Sequence, residues 1–266
     1  MARFRSMAAM PSQQEKAEEF RALHASKPFL IPNPWDVGSA RALEALGFQA
    51  LATTSSGFAF TLGRRDGGAT LDDVVVHVQA LAGATRIPIS VDLENCYDDP
   101  AATIRRVAEA GAVGGSIEDF DGERLYELEE AVDRVTVARE AAQRVGFPFT
   151  LTARAENHIR GNPDLDDTIR RLQAYEQAGA DVLYAPGLRT VDEIRAVCSE
   201  VGKPVNVLAT PALTVAEIVE AGAQRISVGG RLTWVAVDAM VKAAEEMLDG
   251  SLAALDAAPP REDWLE

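Results

Sequence analysis

The chain has 266 residues, of which 47% are hydrophobic and 25% charged, a composition typical of a globular protein that buries a full core. It carries 26 Lys and Arg against 41 Asp and Glu, a net charge of −15, so its surface repels phosphate backbones and we expect no nucleic-acid partner. We also expect a cytoplasmic protein with no membrane partner, because Cys96 and Cys198 form no disulfide framework and no apolar run suits a secretory signal or a membrane span.

Strand-like and helix-like segments alternate along the chain, after a polar leading helix predicted at about residues 12–25. Eight short apolar segments bounded by turn residues are typical of buried parallel strands, and they begin at Pro28, Gln49, Pro88, Gly114, Pro148, Asp181, Pro204 and Arg225. The last helix is predicted from about residue 232 to 248, and a short tail of about 250–266 follows it.

These segments form a repeat. The odd-numbered strands each begin at a proline, and the even-numbered strands each follow a glycine that can end a helix, namely Gly47, Gly111, Gly179 and Gly222. None of the eight strands has the polar, charged character of a sheet edge. The pattern therefore predicts one (β/α)8 barrel of the TIM type over residues 1–266, and not a doubly wound open sheet.

Charged side chains stand at the ends of otherwise apolar strands, where such barrels carry their active sites. Asp92 and Glu94 are two residues apart at the end of the third strand, so we expect them to share one face, with Glu118 beside them on the fourth strand. Three crowded carboxylates need a cation or a proton to neutralise them, and oxygen-only ligands favour Mg²⁺, with Mn²⁺ as an alternative. The competing interpretation is that these acids are solvated or paired with Arg154.

Several residues near these acids are candidates for binding an anion. The planar guanidinium of Arg154 can hold a carboxylate through two hydrogen bonds, although a salt bridge within the acid cluster is an equal alternative. The small residues Ser55, Ser56 and Gly57 can offer backbone N–H groups to an oxyanion. Trp35 can wall the pocket or simply pack at the barrel rim.

The stretches NPWDVGSARALEALGF, TTSSGFAFTLGRRDG, SVDLENCYDD, GGSIED and LTARAENH occur in this order. Together they resemble the isocitrate lyase/phosphoenolpyruvate mutase superfamily, over about residues 20–248. The resemblance implies that Asp92 binds Mg²⁺ directly, and that Glu94, Glu118 and Asp66 hold it through waters. It also implies a tetramer in which the last helix is exchanged between subunits.

The resemblance further implies roles in substrate binding. The backbone of Ser56, Gly57 and Phe58 would bind a carboxylate or enolate oxygen, and Arg154 would bind the substrate. The resulting site hypothesis has three parts: catalytic Arg154, Glu118 and Asp66; substrate-binding Ser56, Gly57, Phe58, Trp35, Arg154 and Asn206; and metal-binding Asp92, Glu94 and Glu118.

The chain departs from the superfamily pattern in the segment 120–127. The lyases carry Lys-Lys-Cys-Gly-His there, with a catalytic cysteine, whereas this segment has neither Lys nor Cys. Cleavage of isocitrate or methylisocitrate is therefore not expected.

The leading hypothesis is a Mg²⁺-dependent lyase or decarboxylase that acts on a small 2-oxo or 2-hydroxy carboxylic acid, in particular a short diacid, through a metal-stabilised enolate. One alternative is a phosphoenolpyruvate mutase-like or phosphonopyruvate hydrolase-like enzyme. A second is a ligand-binding barrel without turnover, which an ordered and immobile segment 120–127 would favour.

Overall fold

The structure is a computed structural model that describes residues 9–256 and residue 264. Residues 1–8, and most of the predicted tail after residue 256, lie outside the described residues.

Eight parallel strands form a sheet that nearly closes on itself, in the hydrogen-bonded order β1-β8-β7-β6-β5-β4-β3-β2. The strands are β1 (Phe29–Ile31), β2 (Leu51–Ala52), β3 (Ile89–Asp92), β4 (Gly114–Glu118), β5 (Thr150–Arg154), β6 (Val182–Tyr184), β7 (Val205–Leu208) and β8 (Arg225–Ser227). The amide of Ala52 donates to the carbonyl of Pro32 at 3.1 Å, which links the β1 and β2 sides of the sheet. The predicted (β/α)8 barrel is therefore confirmed.

Helices lie between the strands and around them. They are α1 (Gln13–His24), α2 (Val37–Ala45), α3 (Ser55–Thr61), α4 (Leu71–Ala84), α5 (Pro100–Glu109), α6 (Leu128–Arg144), α7 (Leu165–Gln177), α8 (Val191–Glu200), α9 (Val215–Glu220) and α10 (Arg231–Leu248). Helices α1 and α10 agree with the predicted leading and last helices. None of the helices in the described residues is long and apolar enough to cross a lipid bilayer.

Glycines end four of these helices in the way that the repeat predicts. Gly47, Gly111, Gly179 and Gly222 follow α2, α5, α7 and α9 with φ between +95° and +111°, the left-handed region that glycine adopts without steric cost. Each of these turns leads directly into the next strand. The spacing of the four glycines therefore determines where the even-numbered strands begin.

Helix α1 covers the amino-terminal end of the barrel. Its Phe20 is fully buried, and a Cβ on Gly114 of β4 would lie 2.8 Å from the Phe20 ring. Because glycine has no side chain, α1 packs directly against the sheet here. The opposite end, where the strands finish, is left for the polar residues described next.

Candidate active site

Side chains from neighbouring strands meet at the carboxyl ends of β3 to β7. In the sheet register, Asp92 lies opposite Ser116 on β4, and Arg154 lies opposite Tyr184, which in turn lies opposite Asn206. Asp92, Arg154, Tyr184 and Asn206 line one cavity of about 60 Å³. The structure thus brings three of the residues expected from the sequence, Asp92, Arg154 and Asn206, to one cavity.

The carboxylate of Asp92 is held from several sides. Its Oδ2 accepts a hydrogen bond from the Ser55 amide at 3.2 Å, and its Oδ1 lies 3.4 Å from the Ser116 hydroxyl. Arg154 Nη1 lies 3.9 Å from the same Oδ1. Asp92 is therefore a fixed, partly buried carboxylate that lies next to the Arg154 guanidinium and lines a polar cavity.

Glu94 does not share a strand face with Asp92, contrary to the sequence expectation. Strand β3 ends at Asp92, and Glu94 has φ +51°, followed by Cys96 at +61° and Tyr97 at +53°. The alternation of a strand does not apply in this left-handed turn. Burial and the charges of Asp92 and Asp66 raise the pKa of Glu94 to about 7.

Arg154 is surrounded by acids. Its Nη1 lies 3.4 Å from Glu118 Oε2, its Nε pairs with Glu156, and its guanidinium lies 5.1 Å from the centre of the Tyr184 ring. Burial raises the pKa of Glu118, and Arg154 opposes that rise. Burial disfavours the charge of Arg154, yet Glu118 and Glu156 raise its pKa further.

The salt-bridge alternative for Arg154 is thus present in the ligand-free geometry. A role as a substrate clamp stays a prediction, and it requires the substrate to replace Glu118 as the partner of Nη1.

The number of carboxylates that can reach one point determines which kind of metal ion the site can bind. In the described part of the chain, no group of three or more His, Cys, Asp and Glu side chains is placed to surround one ion. Asp92, Glu94 and Glu118 therefore do not form a cage of direct ligands, because Glu118 turns to Arg154 and Glu94 leaves the strand. The arrangement fits an ion that takes one carboxylate and keeps its waters, as Mg²⁺ does. Burial, and after it the charges of Asp92 and Asp66, raises the pKa of Glu94, and a cation at Asp92 would oppose this rise.

The predicted anion-binding turn is the start of a helix. Thr54 caps α3, and the amides of Gly57 and Phe58 donate to its Oγ1 at 3.3 Å and its carbonyl at 3.0 Å. The Phe58 ring is buried and stacks on His77 with ring centres 4.0 Å apart. The Ser56 hydroxyl lies 3.4 Å from Trp234 Nε1. The amides of Gly57 and Phe58 already have partners in α3, so this geometry does not support their predicted role in binding an oxyanion. The role of the Ser56 backbone stays a prediction.

Trp35 and Asp66 do not line the cavity around Asp92. The Trp35 side chain is partly exposed and lies 3.3 Å from the position that a Cβ on Gly57 would take, which corresponds to the rim-packing alternative. Asp66 lies in an exposed loop. Its negative charge contributes to the raised pKa of Glu94.

Sequence reasoning missed a buried acid network behind Arg154. Glu156 is fully buried and also pairs with Arg160 Nε at 2.9 Å. Its amide donates to Asp119 Oδ1 at 2.7 Å, and Asp119 in turn accepts from the Tyr175 hydroxyl. The spacing of Arg154 and Glu156 in LTARAENH was the available signal, since two charges that close to a strand end must be paired when buried.

The segment 120–127 after β4 is held by its own contacts. Phe120 and Leu125 form an antiparallel bridge, and the Asp121 amide donates to the Arg124 carbonyl at 3.1 Å. Arg124 also pairs with Glu130 at 3.0 Å. These contacts correspond to the ordered loop that the sequence hypothesis associates with a barrel lacking turnover.

A (β/α)8 barrel with charged side chains gathered at the carboxyl ends of its strands has the layout of the barrel enzymes, whose active sites lie at that end. Residues 20–248 match the sequence model of the phosphoenolpyruvate phosphomutase family, and the chain belongs to this family, within the isocitrate lyase/PEP mutase superfamily.

Two similar proteins cover most of the chain. The crystal structure of a lyase/mutase candidate from Burkholderia cenocepacia J2315 is 49% identical, covers 95% of each chain and superposes with a TM-score of 0.91. The uncharacterized protein Rv1998c of Mycobacterium tuberculosis is 32% identical over 229 residues, which are 85% of this chain and 87% of that protein.

Two further relatives are named by their reaction. A 2-methylisocitrate lyase of Halalkalibacterium halodurans is 28% identical over 234 residues, 81% of this chain and 76% of the relative. An oxaloacetate decarboxylase of Marinomonas sp. is 27% identical over 244 residues, 86% of this chain and 83% of the relative.

Proposed function

We propose that the chain is a Mg²⁺-dependent carbon–carbon lyase or decarboxylase that acts on a small 2-oxo or 2-hydroxy acid. The observation that carries this proposal is the placement of Asp92 and Arg154, whose charged groups lie 3.9 Å apart and line the same cavity. A carboxylate and a guanidinium side by side can hold a cation and an organic anion in contact with each other.

Asp92 would hold the metal directly, and Glu94, Glu118 and Asp66 would hold it through waters. Bound there, Mg²⁺ would supply positive charge where negative charge develops on the substrate oxygen as the neighbouring bond breaks. Arg154 would bind the substrate carboxylate with its Nη edge, because Glu156 occupies its Nε side. Glu118, whose pKa is raised by burial, is the carboxyl group best suited to hold a proton in the site.

Decarboxylation suits the segment 120–127 better than cleavage of a tricarboxylate. Carbon dioxide leaves without needing a proton, so no acid is required on the leaving side. The absence of a cysteine and a lysine from this segment is then tolerated. The relative named as an oxaloacetate decarboxylase supports this preference.

The proposal is tested by incubating the protein with Mg²⁺ and a panel of oxaloacetate, alkylmalates, methylisocitrate and phosphonopyruvate. We expect Mg²⁺-dependent consumption of one of the carboxylic acids above the rate without protein. Cleavage or rearrangement of phosphonopyruvate instead would favour the mutase or hydrolase alternative, which the name of the matched family supports.

A ligand-binding barrel without turnover is the second candidate, favoured by the contacts that hold the segment 120–127. Mg²⁺-dependent binding of a panel member, with no consumption of any of them, would establish this candidate and contradict the first.

We also propose that the chain forms a homo-oligomer, a tetramer in which α10 packs on a neighbouring subunit. The support is the exposure of α10. Of its 18 residues, Thr233 is the one that is buried in the described part of the chain.

A further inference from the structure

A larger cavity opens at the amino-terminal ends of the strands, on the opposite side of the barrel from the candidate active site. It measures about 390 Å³ and lies where β5, β6 and β7 begin, between α1 and the end of α6. Val182 begins β6 and lines this cavity, whereas Tyr184 ends the same strand and lines the cavity around Asp92. A molecule bound in the larger cavity would therefore be separate from the substrate.

The charged side chains that line this amino-terminal cavity are mostly cationic. They are Arg21 of α1, Arg139 of α6, Lys203 just before β7, and one acid, Asp181, just before β6. His24 also lines the cavity, but burial and the charge of Arg225 lower its pKa to about 3, so its imidazole is uncharged at neutral pH. Positive charge is thus concentrated here, on a chain whose net charge is −15.

The one acid of the cavity is already bound within the chain. Asp181 Oδ2 accepts hydrogen bonds from Arg139 Nη1 at 2.8 Å and from the Leu151 amide at 2.9 Å. Burial raises the pKa of Asp181, and the charges of Arg139 and Lys203 oppose that rise, which places both cations beside the same carboxyl group.

Two of the three cations are left without an anion. Arg139 pairs with Asp181, whereas neither Arg21 nor Lys203 forms an ion pair with an acid among residues 9–256. Like charges that share a cavity repel each other, and an anion between them removes that repulsion. The cavity is therefore suited to a ligand that carries about two negative charges.

The remainder of the cavity wall is largely apolar. It consists of Ala25, Ala142, Phe147, Pro148, Phe149, Val182 and Pro204, with Gln143 and Thr150. Phe149 is buried and Phe147 half-buried, with their ring centres 6.5 Å apart. A cavity of this size with apolar walls and a few polar groups is typical of a site for a small organic molecule, so we expect a ligand with an apolar body.

We propose that the amino-terminal cavity binds a small organic phosphate, a phosphate monoester with an apolar or aromatic body. Such a group carries a charge of about −1.5 to −2 at pH 7, which matches the two cations that Asp181 does not balance. Its oxygens would accept charge-assisted hydrogen bonds from Arg21 and Lys203. A carboxylate carries a single charge and would leave one of the two without an anion.

The test uses three probes that separate the phosphate from the apolar body. Phenyl phosphate has both, benzoate has the same ring with a single negative charge, and inorganic phosphate has no ring. Each probe is titrated calorimetrically, with Mg²⁺ present, into the wild type, Arg21→Gln, Lys203→Gln and Lys203→Arg. Thermal unfolding of each variant checks that it is folded.

Two control variants locate the binding. Arg195→Gln removes the same charge as Arg21→Gln, but Arg195 is an exposed residue of α8 that pairs with Asp192 and does not line the cavity. Asp92→Asn changes the cavity at the other end of the barrel.

We expect the wild type to bind phenyl phosphate more tightly than benzoate or inorganic phosphate. Arg21→Gln and Lys203→Gln should each lose roughly three- to tenfold in phenyl phosphate affinity, less than for a buried pair because both side chains are exposed to solvent. Lys203→Arg and the two controls should keep the wild-type affinity. Each Gln variant removes a separate cation, so either one that folds decides the outcome.

Wild-type affinity for phenyl phosphate in both Gln variants would overturn the proposal. A loss in Asp92→Asn that the Gln variants do not share would do the same, because it would place the probe in the strand-end cavity. Tighter binding of benzoate than of phenyl phosphate would contradict the phosphate assignment. A wild type that binds none of the three probes would also overturn this proposal, and it would leave the proposed function untouched.

Discussion

Arg154 has to satisfy buried acids in the ligand-free protein and an organic anion in the proposed complex. Its Nε is committed to Glu156, and its Nη1 lies 3.4 Å from Glu118. An entering carboxylate therefore competes with Glu118 and not with Glu156. Glu156 and Asp119 act as the fixed part of the network, since the Glu156 amide donates to Asp119 Oδ1 at 2.7 Å.

We predict that Arg154→Lys loses substrate binding although it keeps the charge, because lysine cannot form two parallel hydrogen bonds to a carboxylate. The expected loss in kcat/KM, or in 2-oxo acid affinity, is roughly 10- to 150-fold, the equivalent of about 1.5–3 kcal/mol. Metal affinity should change much less, since Arg154 does not ligate the cation. Normal ligand affinity combined with a lowered Tm would show that Arg154 is only a structural partner of the acids.

The pKa of Glu94 gives the metal-free protein a specific pH dependence. Burial, Asp92 and Asp66 raise this pKa from 4.5 to about 7, so the folded state keeps a proton that the unfolded chain has released. The stabilisation from Glu94 is complete below pH 4.5 and is lost as the pH rises to about 7.

We therefore expect that Glu94→Gln makes the free energy of unfolding less dependent on pH across this window. Denaturant unfolding of both proteins, with chelator present, measures the difference at a series of pH values. An identical slope in the variant would refute the assigned titration.

The polar residues at strand ends could be found from the sequence because they interrupt apolar segments. Asp92 and Arg154, which end β3 and β5, were identified in this way, as was Asn206 within β7, and all three line the cavity. Glu94 was wrongly predicted to continue the strand face of Asp92, because its spacing from Asp92 does not reveal the turn with positive φ that follows β3. Arg225 was read from the sequence only as the start of the eighth strand, and its buried hydrogen bonds to Asn206 and Thr152 are visible only in the structure.

At the level of helices and strands, the fold could be predicted mainly from the repeat of prolines before the odd-numbered strands and glycines after the helices that precede the even-numbered ones. Prolines before strands and glycines after helices mark chain reversals that local sterics impose, and Gly111 and Gly222 adopt the predicted left-handed conformation. Helix α3 was not predicted, because its seven residues are too few to show a helical period. Thr54 begins this helix by capping the Gly57 amide, and the helix then places Gly57 against α10.

We predict that Gly57→Ala destabilises the protein. A Cβ at this position would lie 2.4 Å from Thr233 Oγ1 on α10 and 2.7 Å from Thr54 Cγ2, so α3 and α10 would have to separate. The expected cost is about 1–3 kcal/mol of unfolding free energy. Gly38→Ala is the control, because the nearest atom to its Cβ would be Asp36 Oδ1 at 3.5 Å and alanine favours the helix. Equal Tm values for the two variants would contradict this account of the α3–α10 contact.

At the scale of the whole molecule, α10 exposes large apolar side chains that the single chain does not cover. Trp234 is 48% exposed, Val235 67% and Met240 60%, on a helix with one buried residue. Apolar side chains on a helix are normally covered by a neighbouring surface. The barrel of one chain does not provide that surface in the described residues.

We predict a homo-oligomer, with a tetramer as the expected mass, by light scattering at micromolar concentration. Val235→Glu should reduce the mass, because it places a charge in the proposed interface. Val76→Glu, at a position on α4 that is equally exposed at 67%, should leave the mass unchanged. A monomeric wild type, or an unaffected Val235→Glu, would rule out this use of α10.

The central claim is that Asp92 is the carboxylate that binds the divalent cation on which the proposed chemistry depends. Calorimetric titration of Mg²⁺ and of Mn²⁺ into the wild type and Asp92→Ala tests it most directly, with Asp192→Ala, an exposed acid on α8, as the control. We predict that the wild type and the control bind the metal and that Asp92→Ala shows no measurable binding, because the single direct ligand is gone. Undiminished metal affinity in Asp92→Ala, or a wild type that binds neither ion, would contradict it.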